Sequence, residues 1–353
     1  MKIGVLTLAL HTNYGGILQA YALQTVLKRM GHEVMLIEKN NPENWFSPRR
    51  LAYLIRSANT RCFVNKRISM IRVEQFSVLT DLDAVIVGSD QVWRPLMFSE
   101  ATDPFLGFAS EWDIKRIAYA ASFGLEEWGY NSQTTACCTE LIDLFDAVSV
   151  REESAQLLCS RYLGRDALLV LDPTMLLGAD DYKILFENAP VSFVPGSLCT
   201  YILDENADKV ALIQQISQIY GMNSVVELGA GPSVRGLSAL MPVPSVEHWV
   251  RGFQEAGYIV TDSFHACVFS ILFHKPFVVY GNAKRGMARF HSLLKLFGLQ
   301  DRLVSSSDQC VVTELKPIDW DEVDKRLNEM KRLSEAFLLR ALNQNNQEAT
   351  EYE

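Results

Sequence analysis

The chain has 353 residues and a net charge of −9, with 48% hydrophobic and 21% charged residues, as in a soluble globular protein too long for one typical core. The acidic balance argues against general nucleic-acid binding, and no apolar run approaches the roughly 18–20 residues that span a membrane. Seven cysteines without a CxxC pair and six histidines without an HExxH pattern fit reduced cytosolic thiols, with no protein-built metal site expected.

The first segment, Met1-Lys2-Ile3-Gly4-Val5-Leu6-Thr7-Leu8, reads as a strand over Ile3–Leu8 rather than a signal peptide, because no small-residue cleavage site follows it. A polar loop, His11-Thr12-Asn13-Tyr14-Gly15-Gly16, leads into a helix expected over Ile17–Met30, with Gly31 as its stop. Strand Val34–Ile37 follows, and then a stretch of one charge sign. Arg49, Arg50, Arg56, Arg61, Lys66, Arg67 and Arg72 lie between positions 49 and 73 with no acidic residue among them, so the −9 of the whole leaves −16 for the rest. Trp45, Phe46, Leu51, Tyr53, Leu54, Ile55, Phe63, Ile68 and Ile71 interleave with these cations. Such a stretch fits an anionic membrane surface, a solvated helix face or the wall of a crevice that meets anionic substrate.

Strands are next expected at Asp83–Val87, Arg116–Ala121, Ala147–Val150 and Leu168–Leu171, most of them ending in glycine or polar residues before a helix. A second series follows Gly178, with strands at Thr200–Leu203, Ser224–Leu228, Tyr258–Thr261 and Phe277–Tyr280, and a helix from Trp320 to Leu342 comes after it. The economical reading is α/β, with two Rossmann-like domains facing across a cleft. Residues 1–176 would form the first, including the basic segment 49–72, and 177–318 the second. Residues 319–353 would be a helix and tail packing back on the first.

Loops at the carboxyl ends of parallel strands gather where ligands bind. Thr261-Asp262-Ser263-Phe264-His265-Ala266 joins a strand to a helix, so Asp262, Ser263 and His265 sit where helix N–H groups favour an anion and a histidine can protonate it. Asp262 or Ser263 also fits a plain N-cap, and His265 a hydrogen-bonded first-turn residue. Arg151, just past a strand, suits bidentate pairing with a phosphate or carboxylate, or with the adjacent Glu152 and Glu153. Asp90, in the tight loop Gly88-Ser89-Asp90-Gln91, suits a base, a hydroxyl acceptor or a cap. Lys284, Arg285 and Arg289 bring three cations close in sequence to His265. Gly15-Gly16 lets the backbone approach a ligand, although neither GxGxxG nor a Walker motif is present.

Five pieces in this order, with Lys275-Pro276-Phe277 closing the set, resemble the polysaccharide pyruvyl transferase family along nearly the whole chain. They are Asn13-Tyr14-Gly15-Gly16-Ile17-Leu18-Gln19-Ala20-Tyr21-Ala22-Leu23-Gln24, Gly88-Ser89-Asp90-Gln91-Val92-Trp93, Ser149-Val150-Arg151-Glu152, Leu171-Asp172-Pro173-Thr174 and Thr261–Ala266. The resemblance implies a fold like the two-domain GT-B glycosyltransferases. It also implies transfer of the enolpyruvyl unit of phosphoenolpyruvate to sugar hydroxyls of a capsule or exopolysaccharide precursor, with phosphate released and no cofactor beyond that co-substrate. Carried over residue by residue, His265 is the acid–base residue and Arg151 meets the donor's phosphate or carboxylate. Ser263 stands where well-studied members have an arginine, so Arg285 or Arg289 would supply the missing donor-side charge. Asn13, Tyr14, Gly15, Gly16, Asp90 and Gln91 are expected on the acceptor side, with Asp90 also a catalytic candidate. The implied acceptor is a polyprenyl-phosphate-linked sugar, met in the cytoplasm at the inner face of the cell membrane. The competing readings are a GT-B glycosyltransferase using a nucleotide sugar, with Glu227 or Glu247 at the ribose, and a non-catalytic family member.

Overall fold

The computed structural model describes residues 1–39, 48–79, 81–187, 193–229, 241–281, 286–309 and 315–343. Strand β1 (Lys2–Leu6) leads to α1 (Tyr14–Arg29), β2 (Glu33–Lys39), α2 (Pro48–Arg56), α3 (Ala58–Arg67), β3 (Met70–Val73) and β4 (Ala84–Val87). Then come β5 (Lys115–Ala121), α4 (Ser132–Ile142), β6 (Ala147–Val150), α5 (Glu153–Leu163) and β7 (Leu168–Leu169). These strands form a parallel seven-stranded sheet in the order β3-β2-β1-β4-β5-β6-β7. All four residues of β4, Ala-Val-Ile-Val, are buried, as expected of a sheet covered on both faces.

After α6 (Ala179–Phe186) the second unit contains β8 (Leu198–Tyr201), α7 (Ala207–Ile219), β9 (Val225–Glu227), α8 (Val246–Glu255), β10 (Tyr258–Thr261) and α9 (Phe264–Leu272). It continues with β11 (Phe277–Tyr280), α10 (Ala288–Phe297), β12 (Leu303–Val304) and the long α11 (Trp320–Asn343). Its five strands are again parallel, in the order β12-β11-β10-β8-β9. Each sheet reverses its winding once, between β1 and β4 in the first and between β8 and β10 in the second. The crevice at such a reversal is where open α/β sheets bind ligands.

Helix α11 returns to the first sheet. Ser334 accepts a hydrogen bond from the Leu171 N–H at 3.0 Å, and Phe337 packs its ring 6.2 Å from that of Tyr119. At its other end Arg326 donates to the Leu296 carbonyl and His274 pairs with Asp324. One hydrophobic cluster accordingly runs through both units, from Ile3 and Leu23 through Trp249 and Phe269 to Phe337 and Leu338.

Two local expectations change, and the basic stretch acquires a structure. The first helix begins at Tyr14 and not Ile17: Asn13 has an extended backbone (φ −82°, ψ 102°) and its carbonyl accepts from Ile17 N–H, which puts both glycines inside the first turn. The strand expected to reach Leu203 stops at Tyr201, because the Leu203 and Asp204 N–H groups turn to the Asp262 carboxylate at 2.6 and 3.1 Å. The basic stretch, whose secondary structure the sequence leaves open, consists of two helices and a strand. It divides at the buried Ser57 into α2 and α3 and ends in β3, where Arg72 pairs with Glu38 at 2.7 Å. Trp45 and Phe46 lie outside the described residues, as does the side chain of Arg49.

Candidate active site

The site forms where the two winding reversals meet. His265, in the first turn of α9 after β10, presses against Gly15, in the first turn of α1 after β1. A Cβ on Gly15 would fall 2.0 Å from His265 Nδ1, so only glycine admits this approach. Gly16 lies on the Asp90 side of the same turn, where a Cβ would stand 3.6 Å from Asp90 Oδ2.

The other imidazole nitrogen faces a buried ionic hub. His265 Nε2 stands 3.5 Å from Asp172 Oδ2, within ion-pair range but without hydrogen-bond alignment. Asp172 follows β7 and accepts from Arg151 at 2.6 Å, from the Ser89 hydroxyl at 3.0 Å, and from the N–H and hydroxyl of Thr174 at 3.0 and 2.6 Å. Burial alone would raise its pKa, but His265, Arg151 and Thr174 together hold it well below the usual carboxylate range. Arg151 also reaches Asp90 at 3.1 Å and the Ser89 oxygen at 3.1 Å, and its guanidinium carbon lies 4.7 Å from the centre of the Phe264 ring. Asp90, in a left-handed backbone conformation (φ 78°), is likewise lowered: burial opposes ionisation, and Arg151, His265 and Arg289 outweigh it. Arg289, in the first turn of α10, faces the same Phe264 ring at 5.5 Å. Burial, and then the like charge of Arg151, depress it to about 10.

Glu152, fully buried, binds the turn after β5 through the Ser122 hydroxyl and the Phe123 and Gly124 N–H groups at 2.7, 3.1 and 3.2 Å. Gly286 closes on that turn from the second unit. Its φ of +90° and a notional Cβ only 1.9 Å from the Gly124 carbonyl oxygen both require glycine. Around His265 there are thus two guanidinium groups and three carboxylates. A dianionic ligand here would draw on the helix N-termini and on a protonated histidine as well as the arginines. Helices α1, α5, α9 and α10 all begin at this place, none capped by its own N-cap side chain, although the first N–H of α5, at Glu153, donates to Ser292 Oγ at 3.0 Å.

The structure therefore brings together His265, Asp90, Arg151, Arg289, Gly15 and Gly16. Arg151, which the sequence left open to a donor anion, has its guanidinium engaged by Asp172, Asp90 and Ser89. Tyr14 turns away from the cleft: it stacks on Trp249 (5.5 Å, 16°), meets Tyr201 edge-on and donates to the Pro244 carbonyl, tying the two units together. Asp262 accepts from Lys209 and two backbone N–H groups, a role within the fold of its own unit. Asn13 is exposed at the start of α1, Gln91 packs against Gly124 and accepts from Arg94, and Ser263 precedes α9 with no cap bond from its hydroxyl. Arg285 and Lys284 lie outside the described residues. Glu227, on edge strand β9, and Glu247, in the first turn of α8, are not among the residues that meet at His265.

Asp172, the centre of the hub, was not singled out from the sequence. Its signal was an aspartate closing an apolar strand run before a proline, in Leu171-Asp172-Pro173-Thr174.

The family model described as polysaccharide pyruvyl transferase matches residues 13–284. No curated protein matches the chain. Among solved structures the chain is similar to a UDP-GlcNAc 2-epimerase from Neisseria meningitidis, with a TM-score of 0.54, 11% identity, and coverage of 98% of this chain and 100% of that one. It is also similar to the UDP-N-acetylglucosamine 2-epimerase from Rickettsia bellii, with a TM-score of 0.52, 12% identity, and coverage of 97% and 96%. At such identities the likeness concerns the fold, which is of the GT-B type.

Proposed function

Since the chain belongs to the polysaccharide pyruvyl transferase family, we propose that it transfers the enolpyruvyl unit of phosphoenolpyruvate onto two hydroxyls of a sugar in a surface-polysaccharide precursor. The observation that carries this reading is the placement of His265 between the winding reversals of both sheets, with Gly15 on one side and Asp172, Arg151 and Asp90 on the other.

In this scheme His265 delivers a proton to C3 of the enol while one sugar hydroxyl adds at C2 and loses its proton. The second hydroxyl then adds at C2 as the C–O bond to phosphate breaks. One hydroxyl proton finishes in the new methyl group and the other on the departing phosphate, so the sum balances. A histidine suits the acid role near neutral pH. The uncapped starts of α9 and α10, with Arg289 in the first turn of the latter, suit the leaving phosphate. Arg289 supports the charge that Ser263 does not provide. Asp90, held in its ionised form, is a weak base and fits better as the acceptor that orients a sugar hydroxyl.

The precursor we favour is polyprenyl-phosphate-linked and is met at the cytoplasmic face of a membrane. The cations of α2 and α3 support this, and no described helix is long and apolar enough to cross a membrane. The test is mass spectrometry of lipid-linked mono- and disaccharides incubated with the protein and phosphoenolpyruvate. A mass gain equal to a pyruvate ketal, with stoichiometric phosphate, is expected. Binding of a nucleotide sugar in place of phosphoenolpyruvate would overturn the reading.

A further inference from the structure

A cavity of about 190 Å³ opens beside the site, at the carboxyl ends of β1 and β2. It lies under the segment after β4 that contributes Met97, Phe98, Ser99 and Asp103. Its walls are mainly aliphatic, from Leu6, Leu8, Leu10, Leu36, Ile37 and Met70, with the Phe76 ring among them. Several of its polar groups are already engaged. The Thr7 hydroxyl donates to the Ser89 carbonyl at 3.0 Å and accepts from Gln19, and the two wall carboxylates are paired, Asp103 with Lys39 at 3.7 Å and Glu38 with Arg72 at 2.7 Å. A sugar ring needs several hydrogen-bond partners to offset its desolvation, and this lining suits carbon better. An apolar cavity of about 150 Å³ takes benzene, so the space here matches a group of roughly that size.

The surroundings indicate what carries such a group. The wall residue Thr7 is bonded to Ser89, whose side chain belongs to the Arg151–Asp172 hub beside His265. Leu96 and Met97 near the mouth are 99% and 44% exposed. The loop that supplies Ala9 and Leu10 continues to His11, which bonds Tyr53 of α2 at 2.6 Å. That helix and α3 carry Arg56, Arg61 and Lys66 in a stretch with no carboxylate. Carbon-lined space, exposed apolar residues and neighbouring cations together match an anionic amphiphile.

We propose that this cavity binds the isoprenyl segment next to the phosphate of a lipid-linked acceptor, an inference that rests on the transfer reaction above. The probe is farnesyl phosphate, its binding measured by calorimetry in the absence of phosphoenolpyruvate. Saturable binding is expected, at least a hundredfold tighter than that of inorganic phosphate and close to that of isopentenyl phosphate, because the space holds roughly one five-carbon unit. Ala9→Phe and Ser99→Phe, at exposed lining positions, should fill the space and weaken farnesyl phosphate binding tenfold or more. Thermal unfolding and transfer to a soluble, lipid-free acceptor should be unchanged in both. Equal binding by wild type and both variants, or equal binding of the three probes, would overturn the proposal. Farnesyl phosphate binding without any ketal product would leave the cavity assigned and remove the transfer reading. Ketal formation without farnesyl phosphate binding would do the reverse.

Discussion

His265 is held by contacts on two sides, Gly15 against Nδ1 and Asp172 facing Nε2. His265→Ala is therefore expected to keep the fold and lose about 10²–10⁴-fold in turnover, the usual worth of general acid–base catalysis. Circular dichroism with product analysis checks both halves, and a near wild-type rate would make the residue structural. Arg151 calls for a different expectation from that of an exposed donor ligand. Arg151→Ala leaves Asp172 and Asp90 buried without their cation, which costs roughly 3–5 kcal/mol of stability. Urea unfolding should show this before any kinetic effect is interpreted, whereas an unchanged midpoint would mean the hub contributes little to folding. The pH dependence has a definite sign. Both carboxyls lie below the ordinary 3.8 in the folded state. Their contribution is thus complete above about pH 4 and is lost as pH falls toward the lower folded values. Asp172→Asn should flatten that acid limb of a stability–pH curve, and an unchanged slope would argue against the depressed carboxyl.

At the scale of elements, the apolar runs were legible: β6, β10 and β11 fall where alternation and burial put them. The helix starts were less so. Tyr14-Gly15-Gly16 reads as the end of a polar loop, yet in a first turn the low helix propensity of two glycines costs little, and the missing side chain of Gly15 admits His265. That contact is tertiary and has no local signal. The same holds for Asp172, whose four partners come from segments up to 93 residues away (His265), and for β3, hidden inside a basic stretch. Gly15→Ala should accordingly move the imidazole and lower turnover on the order of 10²-fold, as misplacements of about 1 Å do. It should leave helix content intact. Unaltered turnover in a stable Gly15→Ala variant would show that the His265 position is not critical.

For the whole molecule, the uneven charge and the shared core have consequences of their own. Arg61 and Lys66 of α3 are exposed, and each cation near an anionic lipid surface contributes about 1 kcal/mol before screening. Flotation with phosphatidylserine vesicles should fall with added salt and with Arg61→Glu and Lys66→Glu, while activity on a soluble acceptor survives. Equal loss on soluble and lipid-linked acceptors would instead assign these side chains to substrate handling.

Helix α11 has a consequence for biosynthesis. Leu171 waits 163 residues for the hydroxyl of Ser334, and the sheet beside it waits for Phe337 and Leu338. While the ribosome is still translating the second unit, that face of the first must remain bare. The emerging chain thus carries an unfinished domain for nearly half of its synthesis, a state suited to chaperone capture, and its maturation is necessarily late.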